Sequence, residues 1–160
     1  KRHKPPHYKG GTKIRPLQGA SFGYVVLDES SELDSNRFIK KCTFFHRSDN
    51  PHISSTSSTI AVQSHCWWDN VDCSASTATV TIGLLRSERN LNPDDFHDVG
   101  RRGKSRVVAG GGKGNRATTH FDCNPGDVAW YKAWVDVDVN GVIDSSGITW
   151  SNTVKVSCHR

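Results

Sequence analysis

In the segment from Trp130 to Val139, Lys132, Asp136, Asp138 and two tryptophans occupy the even positions. Its odd positions are all apolar: Tyr131, Ala133, Val135, Val137 and Val139. This pattern is typical of a β-strand that buries one face and exposes the other. Asn140 and Gly141 then tolerate positive φ and predict a turn. The next apolar segment, Ile148–Ser157, supplies a returning strand, so the chain is predicted to end in a long β-hairpin.

The same signals recur along the rest of the chain. Runs rich in β-branched and aromatic residues alternate with turn-forming residues, and no segment has the periodicity of an amphipathic helix. The predicted strands are Gly19–Leu27, Arg37–Phe45, Ser58–Ser64, Ala78–Leu85, Ser105–Ala109, Ala117–Phe121, Val128–Val139 and Ile148–Ser157. A chain of 160 residues is the size that one hydrophobic core ordinarily serves. We therefore predict an all-β antiparallel β-sandwich as one domain over residues 19–160.

The positive charge of the chain is concentrated at its N-terminal end. Residues 1–17 hold six Lys or Arg and no carboxylate, so residues 18–160 carry 15 basic against 16 acidic groups, a net charge of −1. With little to bury, such a segment cannot offset its own ordering entropy. Residues 1–18 are thus predicted to form a flexible basic arm. The nearly neutral remainder argues against a nucleic-acid partner.

The arm is predicted to bind a partner protein in an extended conformation. Extended segments add main-chain hydrogen bonds to a receptor, while apolar side chains anchor them and basic side chains steer the approach. The predicted partner-binding residues are Lys1, Arg2, Lys4, Tyr8, Lys9, Lys13, Ile14, Arg15 and Leu17.

Five cysteines without a CxxC pair indicate disulfides formed in an oxidising compartment, and hence secretion. Cys66 and Cys73 flank only six residues, so a local bridge is predicted between them. Cys123 and Cys158 fall at the same end of the predicted hairpin, so we predict a second bridge there. Cys42 is then the odd thiol, either paired with a partner molecule or buried in the reduced form.

Membrane insertion is not expected, because no apolar run approaches the roughly 20 residues needed to span a bilayer. No signal-like apolar stretch opens the chain at Lys1, so any targeting segment is expected to have been removed already. These observations agree with a secreted, extracellular location.

The segment Asp127–Ala133 resembles the D-x-A-x-Y-x-C/A stretch around the tyrosine corner of immunoglobulin-like strands, with Ala133 in the place of cysteine. Over residues 58–158 the chain also resembles small secreted actinobacterial β-sandwich proteins. The shared motifs lie at Ala78–Arg86, Phe96–Val99, Cys123–Gly126 and Ser151–Cys158, and a tyrosine-bearing strand accompanies them. The first resemblance implies an immunoglobulin-like sandwich.

Some of those secreted proteins are adapters that join toxin and lectin subunits in umbrella-shaped antibacterial toxin particles, and they dock through an extended N-terminal segment. The second resemblance therefore implies a non-enzymatic adapter that links subunits of an extracellular toxin complex. The arm would lie in a partner's cleft, and the partners would be other secreted proteins, namely toxin and lectin-like subunits.

Asp136-x-Asp138-x-Asn140-Gly141-x-Ile143-Asp144 matches the first nine positions of a calcium-binding loop. Gly147, however, stands where that loop needs a bidentate glutamate, and the preceding segment is a strand. We therefore expect neither a metal ion nor another cofactor.

Three further motifs have an ordinary structural interpretation beside a functional one. The glycine-rich segment Gly110–Gly114 lacks the order of a phosphate-binding loop and predicts a connection between strands. The basic cluster Arg101–Arg106 is expected to be a solvated loop, with contact to an acidic partner or polyanion as the alternative. Trp67 and Trp68 either stack on a sugar or enter a partner pocket, or else pack in the core.

No catalytic set stands out among the eight histidines and the serines, because no G-x-S-x-G or H-E-x-x-H signature accompanies them. The histidines are expected to be scattered surface residues. Asp94 and Asp95 are adjacent and do not form the facing carboxylates of a glycosidase. We therefore predict that the protein is not an enzyme. The alternative to an adapter is a free-standing secreted effector or inhibitor that binds a polyanion or cell-wall polymer, and a small hydrolase ranks third.

Overall fold

The computed structural model describes residues 12–17, 21–28, 40–142 and 147–160, with side chains in 42–142 and 147–160. Within these ranges the chain forms antiparallel strands and one 3-10 turn, Pro93–Asp95. The strands are β1 (Thr12–Leu17), β2 (Ser21–Asp28), β3 (Lys40–Ser48), β4 (His52–Ile53), β5 (Ala61–Asn70), β6 (Thr77–Ser87), β7 (His97–Val108), β8 (Ala117–Asp122), β9 (Val128–Val139), β10 (Ile148–Trp150) and β11 (Val154–Ser157). The all-β prediction is confirmed.

Two sheets pack face to face. Sheet A has the order β1-β2-β3-β5-β8, with β4 paired to β5. Sheet B has the order β7-β6-β9, and both β10 and β11 pair with β9. Strand β7 also pairs with β8 at Arg101 and His120, so the two sheets are joined along one side. The fold is therefore an antiparallel β-sandwich closed along that side, as the patterning predicts.

The core lies between the inward faces of the two sheets. Sheet A contributes Cys42, Phe44, Cys66 and Trp68, and sheet B contributes Val80, Ile82, Ala133, Val135 and Val137. The indole of Trp68 donates a hydrogen bond from Nε1 to the carbonyl oxygen of Val107, 3.1 Å away. Trp68 is fully buried, and this hydrogen bond satisfies its one polar atom, so Trp68 is a core residue. Trp67 points to the opposite face of β5, where it contacts Gly111.

Strand β9 buries its odd positions, as its alternation predicts. Trp134 is buried as well, although it lies at an even position on the outer face of sheet B. It packs there with Leu85 and Phe96 in a small cluster outside the main core. Alternation alone does not predict this cluster, because its cover comes from a loop and from β10.

The disulfide between Cys123 and Cys158 is confirmed, with Cα atoms 6.1 Å apart. The predicted Cys66–Cys73 bridge is wrong, and so is the prediction that Cys42 is the odd thiol. Cys73 pairs with Cys42 at a Cα distance of 4.8 Å, and Cys66 is a buried free thiol. The two bridges indicate an oxidising environment.

Strand register explains the wrong pairing. After β5 the chain turns back over β3, where the backbone N–H groups of Val71 and Asp72 donate to the carbonyl oxygen of Thr43. This brings Cys73 beside Cys42. Cys66 lies further back along β5, opposite Ser48, and faces the core.

Other boundaries also differ from the prediction. The segment Ile148–Ser157 forms two strands. Between them the N–H of Ser151 donates to the carbonyl oxygen of Ala133, and the N–H of Ala133 donates to the hydroxyl oxygen of Ser151, so a side chain replaces the main chain in the pairing at this point. β7 begins at His97, earlier than the predicted Ser105. The prediction misses the first half of the strand because that half is mostly polar and exposed and lacks an apolar alternation. Residues 12–17, which we assigned to the arm, pair with β2 as an edge strand. Among the described residues, no helix has the length and apolarity needed to cross a bilayer.

Candidate functional surfaces

Aromatic side chains cover part of the outer face of sheet B. We call this surface the aromatic face; it consists of Phe96, Arg102, Trp130, Lys132, Trp134, Trp150 and Lys155. Cross-strand register produces it: Trp134 lies opposite both Gly83 and Trp150, and Trp130 lies opposite Lys155. Residues paired in this way project to the same side of a sheet. Trp130 and Trp150 are partly exposed, whereas Trp134 is buried.

Cations lie over the rings of this face. The ammonium nitrogen of Lys132 is 4.4 Å from the ring centroid of Phe96 and 4.5 Å from that of Trp150. Lys155 lies 5.1 Å from the ring of Trp130. These distances are within the range of cation–π attraction. Burial lowers the pKa of Lys132. The aromatic face therefore combines apolar rings with positively charged side chains.

A capped turn holds Phe96 in place on this face. The side chain of Asn92 accepts a hydrogen bond from the backbone of Asp94, 3.0 Å long. The carboxylate of Asp95 in turn accepts from the backbone N–H groups of Leu91 and Asn92, both at 2.9 Å. This reciprocal capping fixes the loop that covers the outer cluster. The sequence signal for it is the run Asn-Pro-Asp-Asp.

The basic cluster Arg101–Arg106 is part of strand β7 and not the loop we expected. Arg102, Lys104 and Arg106 occupy alternate, exposed positions on one side of the strand. The guanidinium of Arg102 lies 4.9 Å from the ring of Trp134 and pairs with Asp98 at 3.1 Å. The three cations therefore continue the basic side chains of the aromatic face along β7, while Asp136 and Asp138 lie in the same cross-strand rows as Lys104 and Arg106.

A second group of polar side chains lies on the outer face of sheet A. We call it the histidine face; it consists of Asp49, His52, Gln63, His65, His120 and Asp122. Register aligns His52, Gln63 and His120 across β4, β5 and β8. His65 lies two residues from Gln63 on the same side of β5, and its ring stacks on that of His52 with centroids 5.4 Å apart.

Asp49 is the centre of one half of the histidine face. One carboxylate oxygen, Oδ2, accepts a hydrogen bond from Nδ1 of His65 at 2.6 Å. The other, Oδ1, accepts from the backbone N–H of His65 at 2.6 Å and from the hydroxyl of Ser64 at 3.0 Å. Burial raises the pKa of Asp49, but the hydrogen bonds from His65 outweigh it, and the pKa lies below its usual value. The carboxylate is therefore ionised near neutral pH.

The other half of the histidine face is a hydrogen-bonded chain. The amide of Gln63 donates to Nδ1 of His120 at 2.9 Å, and Nε2 of His120 donates to Asp122 at 2.8 Å. The hydroxyl of Thr59 donates to the same carboxylate oxygen at 2.6 Å. Both hydrogen bonds lower the pKa of Asp122, and the one from Thr59 has the larger effect.

The histidine face was not predicted, because the sequence pattern indicates only scattered surface histidines. His52, His65 and His120 are far apart in the chain, and only the register of β4, β5 and β8 brings them together. The available signal is weak: Gln63 and His65 occupy alternate positions of a strand whose opposite face includes Val62, Cys66 and Trp68.

The predicted arm residues Lys1, Arg2, Lys4, Tyr8 and Lys9 lie outside the described residues. The remaining four predicted partner-binding residues lie in β1, whose backbone pairs with β2 at the edge of sheet A; they are Lys13, Ile14, Arg15 and Leu17. Their role in partner binding stays a prediction.

Tyr131, the tyrosine of the immunoglobulin-like motif, is buried and packs against Phe121. Its hydroxyl accepts a hydrogen bond from Nε of Arg86 at 3.2 Å. The same guanidinium pairs with Glu88 at 3.0 Å and lies 3.9 Å from Asp127, the first residue of the motif. The motif therefore joins β6 to β9 through Arg86.

No protein-family model and no curated protein sequence matches this chain. Among solved structures, the chain is similar to a DUF3823 family protein from Bacteroides ovatus, with a TM-score of 0.37 and 13% sequence identity. That similarity covers 91% of this chain and 79% of the other.

Proposed function

We propose that the protein is a secreted, non-enzymatic adapter that links other secreted proteins into an extracellular complex. In this proposal one partner docks on the aromatic face of sheet B. A second partner binds the N-terminal arm together with the edge strand β1. Toxin and lectin-like subunits of an antibacterial particle are the partners that the sequence resemblance suggests.

The observation that carries the proposal is the composition of the aromatic face. Trp130 and Trp150 present partly exposed rings, and Lys132 and Lys155 lie over them. Tryptophan and arginine are the residue types most enriched at the energetic centres of protein interfaces, and Arg102 belongs to the same face. Because cations line the rings, the partner segment that fits them best is apolar and acidic.

The position of β1 supports a second, separate contact. In the sheet order β1 stands at one end and β10, which carries Trp150, stands at the other. Among the described residues β1 pairs only with β2, so its outer edge is available for strand addition. Because β7 and β8 join the two sheets, both ends of this order belong to the open side of the sandwich, and the two contacts differ in the sheet they use: the edge of sheet A and the outer face of sheet B. The two disulfides support a secreted location.

Affinity purification from the secretions of the producing organism tests this proposal. We expect the full chain to retain two partners in stoichiometric amounts. Trp130→Ala combined with Trp150→Ala should release one partner, and deletion of residues 1–18 should release the other. Val71→Ala is a matched control, because Val71 is 58% exposed and lies outside both surfaces. Retention of both partners by both variants, or turnover of a substrate by an unpartnered chain, would contradict the proposal.

A second candidate function is binding of a polyanion or cell-wall polymer, and the basic positions of β7 favour it. Arg102, Lys104 and Arg106 alternate along one side of the strand and are exposed. Salt separates the two candidates. A polyanion complex should weaken steeply as ionic strength rises, whereas a contact anchored by tryptophans should keep most of its affinity.

A further inference from the structure

Asp49, His52 and His65 form a cluster that the proposed function does not use. Asp49 directly follows β3, His52 begins β4 and His65 lies in β5, so three separate segments contribute. One donor atom from each residue lies within 4.8 Å of those from the other two. We infer that these three side chains form a binding site for a divalent transition-metal ion, with Zn²⁺ as the best fit. The inference departs from the expectation that no metal binds, and it is independent of the adapter proposal.

The donor set determines the class of metal. Two imidazole nitrogens and one carboxylate oxygen match the ligands of Zn²⁺ and of neighbouring transition metals. Ca²⁺ and Mg²⁺ prefer sites built entirely from oxygen atoms. Three protein ligands leave a fourth tetrahedral position for water, so the site would be open to solvent.

The distances are close to those of a bound state. Oδ2 of Asp49 lies 2.6 Å from Nδ1 of His65 and 4.0 Å from Nδ1 of His52. Ligand atoms around tetrahedral zinc lie about 3.3 Å apart when the bonds are about 2.0–2.1 Å long. Because the two rings stack at an interplanar angle of 28°, one of them has to turn before both Nδ1 atoms face one ion, and the ring of His52 is the more exposed of the two. To bind the ion through Nδ1, each neutral imidazole would move its proton from Nδ1 to Nε2, and the ion would take the place of the hydrogen bond that His65 now donates to the carboxylate.

Neighbouring groups orient these ligands. The hydroxyl of Ser64 and the backbone N–H of His65 both donate to Oδ1 of Asp49, which directs Oδ2 toward the histidines. Such contacts around a ligand fix its orientation and strengthen metal binding. Nδ1 of His52 now donates to the carbonyl oxygen of Asn50 at 2.7 Å and would give up that hydrogen bond to bind the ion. In addition, the buried side-chain oxygen Oδ1 of Asn50, within the same segment, has no hydrogen-bond partner among the described residues.

Solvent can reach the cluster. The side chain of His52 is 42% exposed and that of Asp49 is 36% exposed, whereas that of His65 is 12% exposed. An ion can therefore enter beside His52 without any change in the core. The same exposure makes His52 the best position for a variant that tests binding, because its removal leaves the packing of the sandwich intact.

Calorimetric titration of the full chain with Zn²⁺ tests the inference, with Co²⁺ as a spectroscopic probe of coordination. We expect one ion per chain, a higher melting temperature with Zn²⁺, and visible Co²⁺ absorption typical of four ligands. His52→Gln should weaken Zn²⁺ binding at least about tenfold, and His65→Gln should do the same. His97→Gln is the matched control, because His97 is exposed and lies outside the cluster.

Two results would overturn the inference. One is the absence of Zn²⁺ binding by the wild-type chain. The other is binding that persists in His52→Gln but disappears when His3 and His7 are both replaced by glutamine, which would assign the ion to the N-terminal segment. Because His65→Gln also removes a hydrogen bond to Asp49, circular dichroism should verify that this variant is folded. His52→Gln decides the question if it is not.

Discussion

Gly83 on β6 lies directly beneath the indole ring of Trp134 on β9. A Cβ atom at Gly83 would overlap that ring, so only glycine allows the tryptophan to lie flat against the sheet. The close approach buries Trp134 on a face of sheet B that would otherwise be open to solvent.

We predict that Gly83→Ala destabilises the protein by about 1–3 kcal/mol, because the methyl group forces Trp134 off its position. Urea unfolding monitored by tryptophan fluorescence measures this change. Thr81→Ala, two residues away on the same face, is the control and should cost less. If the indole is the obstacle, Trp134→Leu should remove most of the penalty, so a penalty that persists in the double variant would contradict this explanation.

Disulfide mapping should recover Cys42–Cys73 and Cys123–Cys158, with Cys66 as the one labelled thiol after unfolding. Cys66 should resist labelling in the folded protein, because its side chain is buried and burial raises the pKa of its thiol. A peptide that links Cys66 to Cys73 would contradict the strand register.

Removal of the Cys123–Cys158 bridge should destabilise the protein by about 3–4 kcal/mol, because the bridge restricts a long loop in the unfolded chain. Thermal unfolding of the doubly alanine-substituted variant measures the loss, and Cys66→Ala, which breaks no bridge, is the control. A melting temperature equal to that of the wild-type protein would show that the bridge does not constrain the unfolded state.

Deletions separate the N-terminal segment into two parts. We predict that deletion of residues 1–11 leaves the melting temperature nearly unchanged, whereas deletion of residues 1–18 lowers it by several degrees. The difference arises because the longer deletion removes β1 and its hydrogen bonds to β2. Equal melting temperatures for the two deletions would place residues 12–17 outside the cooperative fold.

The carboxylate of Asp122 should titrate below its ordinary pKa, because Thr59 and His120 both donate hydrogen bonds to it. The folded state therefore holds this proton less readily than the unfolded state. The stability that Asp122 contributes is present above the ordinary carboxyl pKa and is lost as the pH falls through the lowered value. Carbon-detected NMR titration measures the shift, and Thr59→Val should move the pKa back upward. An unchanged pKa in Thr59→Val would show that the hydroxyl contributes nothing.

The prediction of the strands succeeded where local pattern and burial coincide. In β9 every odd position from Tyr131 to Val139 is buried, because a strand of a two-sheet sandwich turns its apolar side toward the other sheet. The pairing of Cys123 with Cys158 followed from the same hairpin, whose two ends are fixed by the turn at Asn140 and Gly141. These features depend on residues that are neighbours in the chain or in one hairpin.

The features that the sequence left open depend on strands that meet from distant parts of the chain. Whether Cys73 bonds Cys66 or Cys42 is decided by the register of β3 against β5, which no local pattern specifies. The meeting of His52 with His65 is decided by the pairing of β4 with β5.

The sequence by itself determined the class of fold, most of the strands and one disulfide, because period-two alternation, turn residues and hairpin closure act over short distances along the chain. Only the tertiary structure decided which outer-face side chains gather into an aromatic face and a histidine face. Exposed positions carry no burial constraint that would mark them in a sequence, so the register and order of the strands alone bring those residues together.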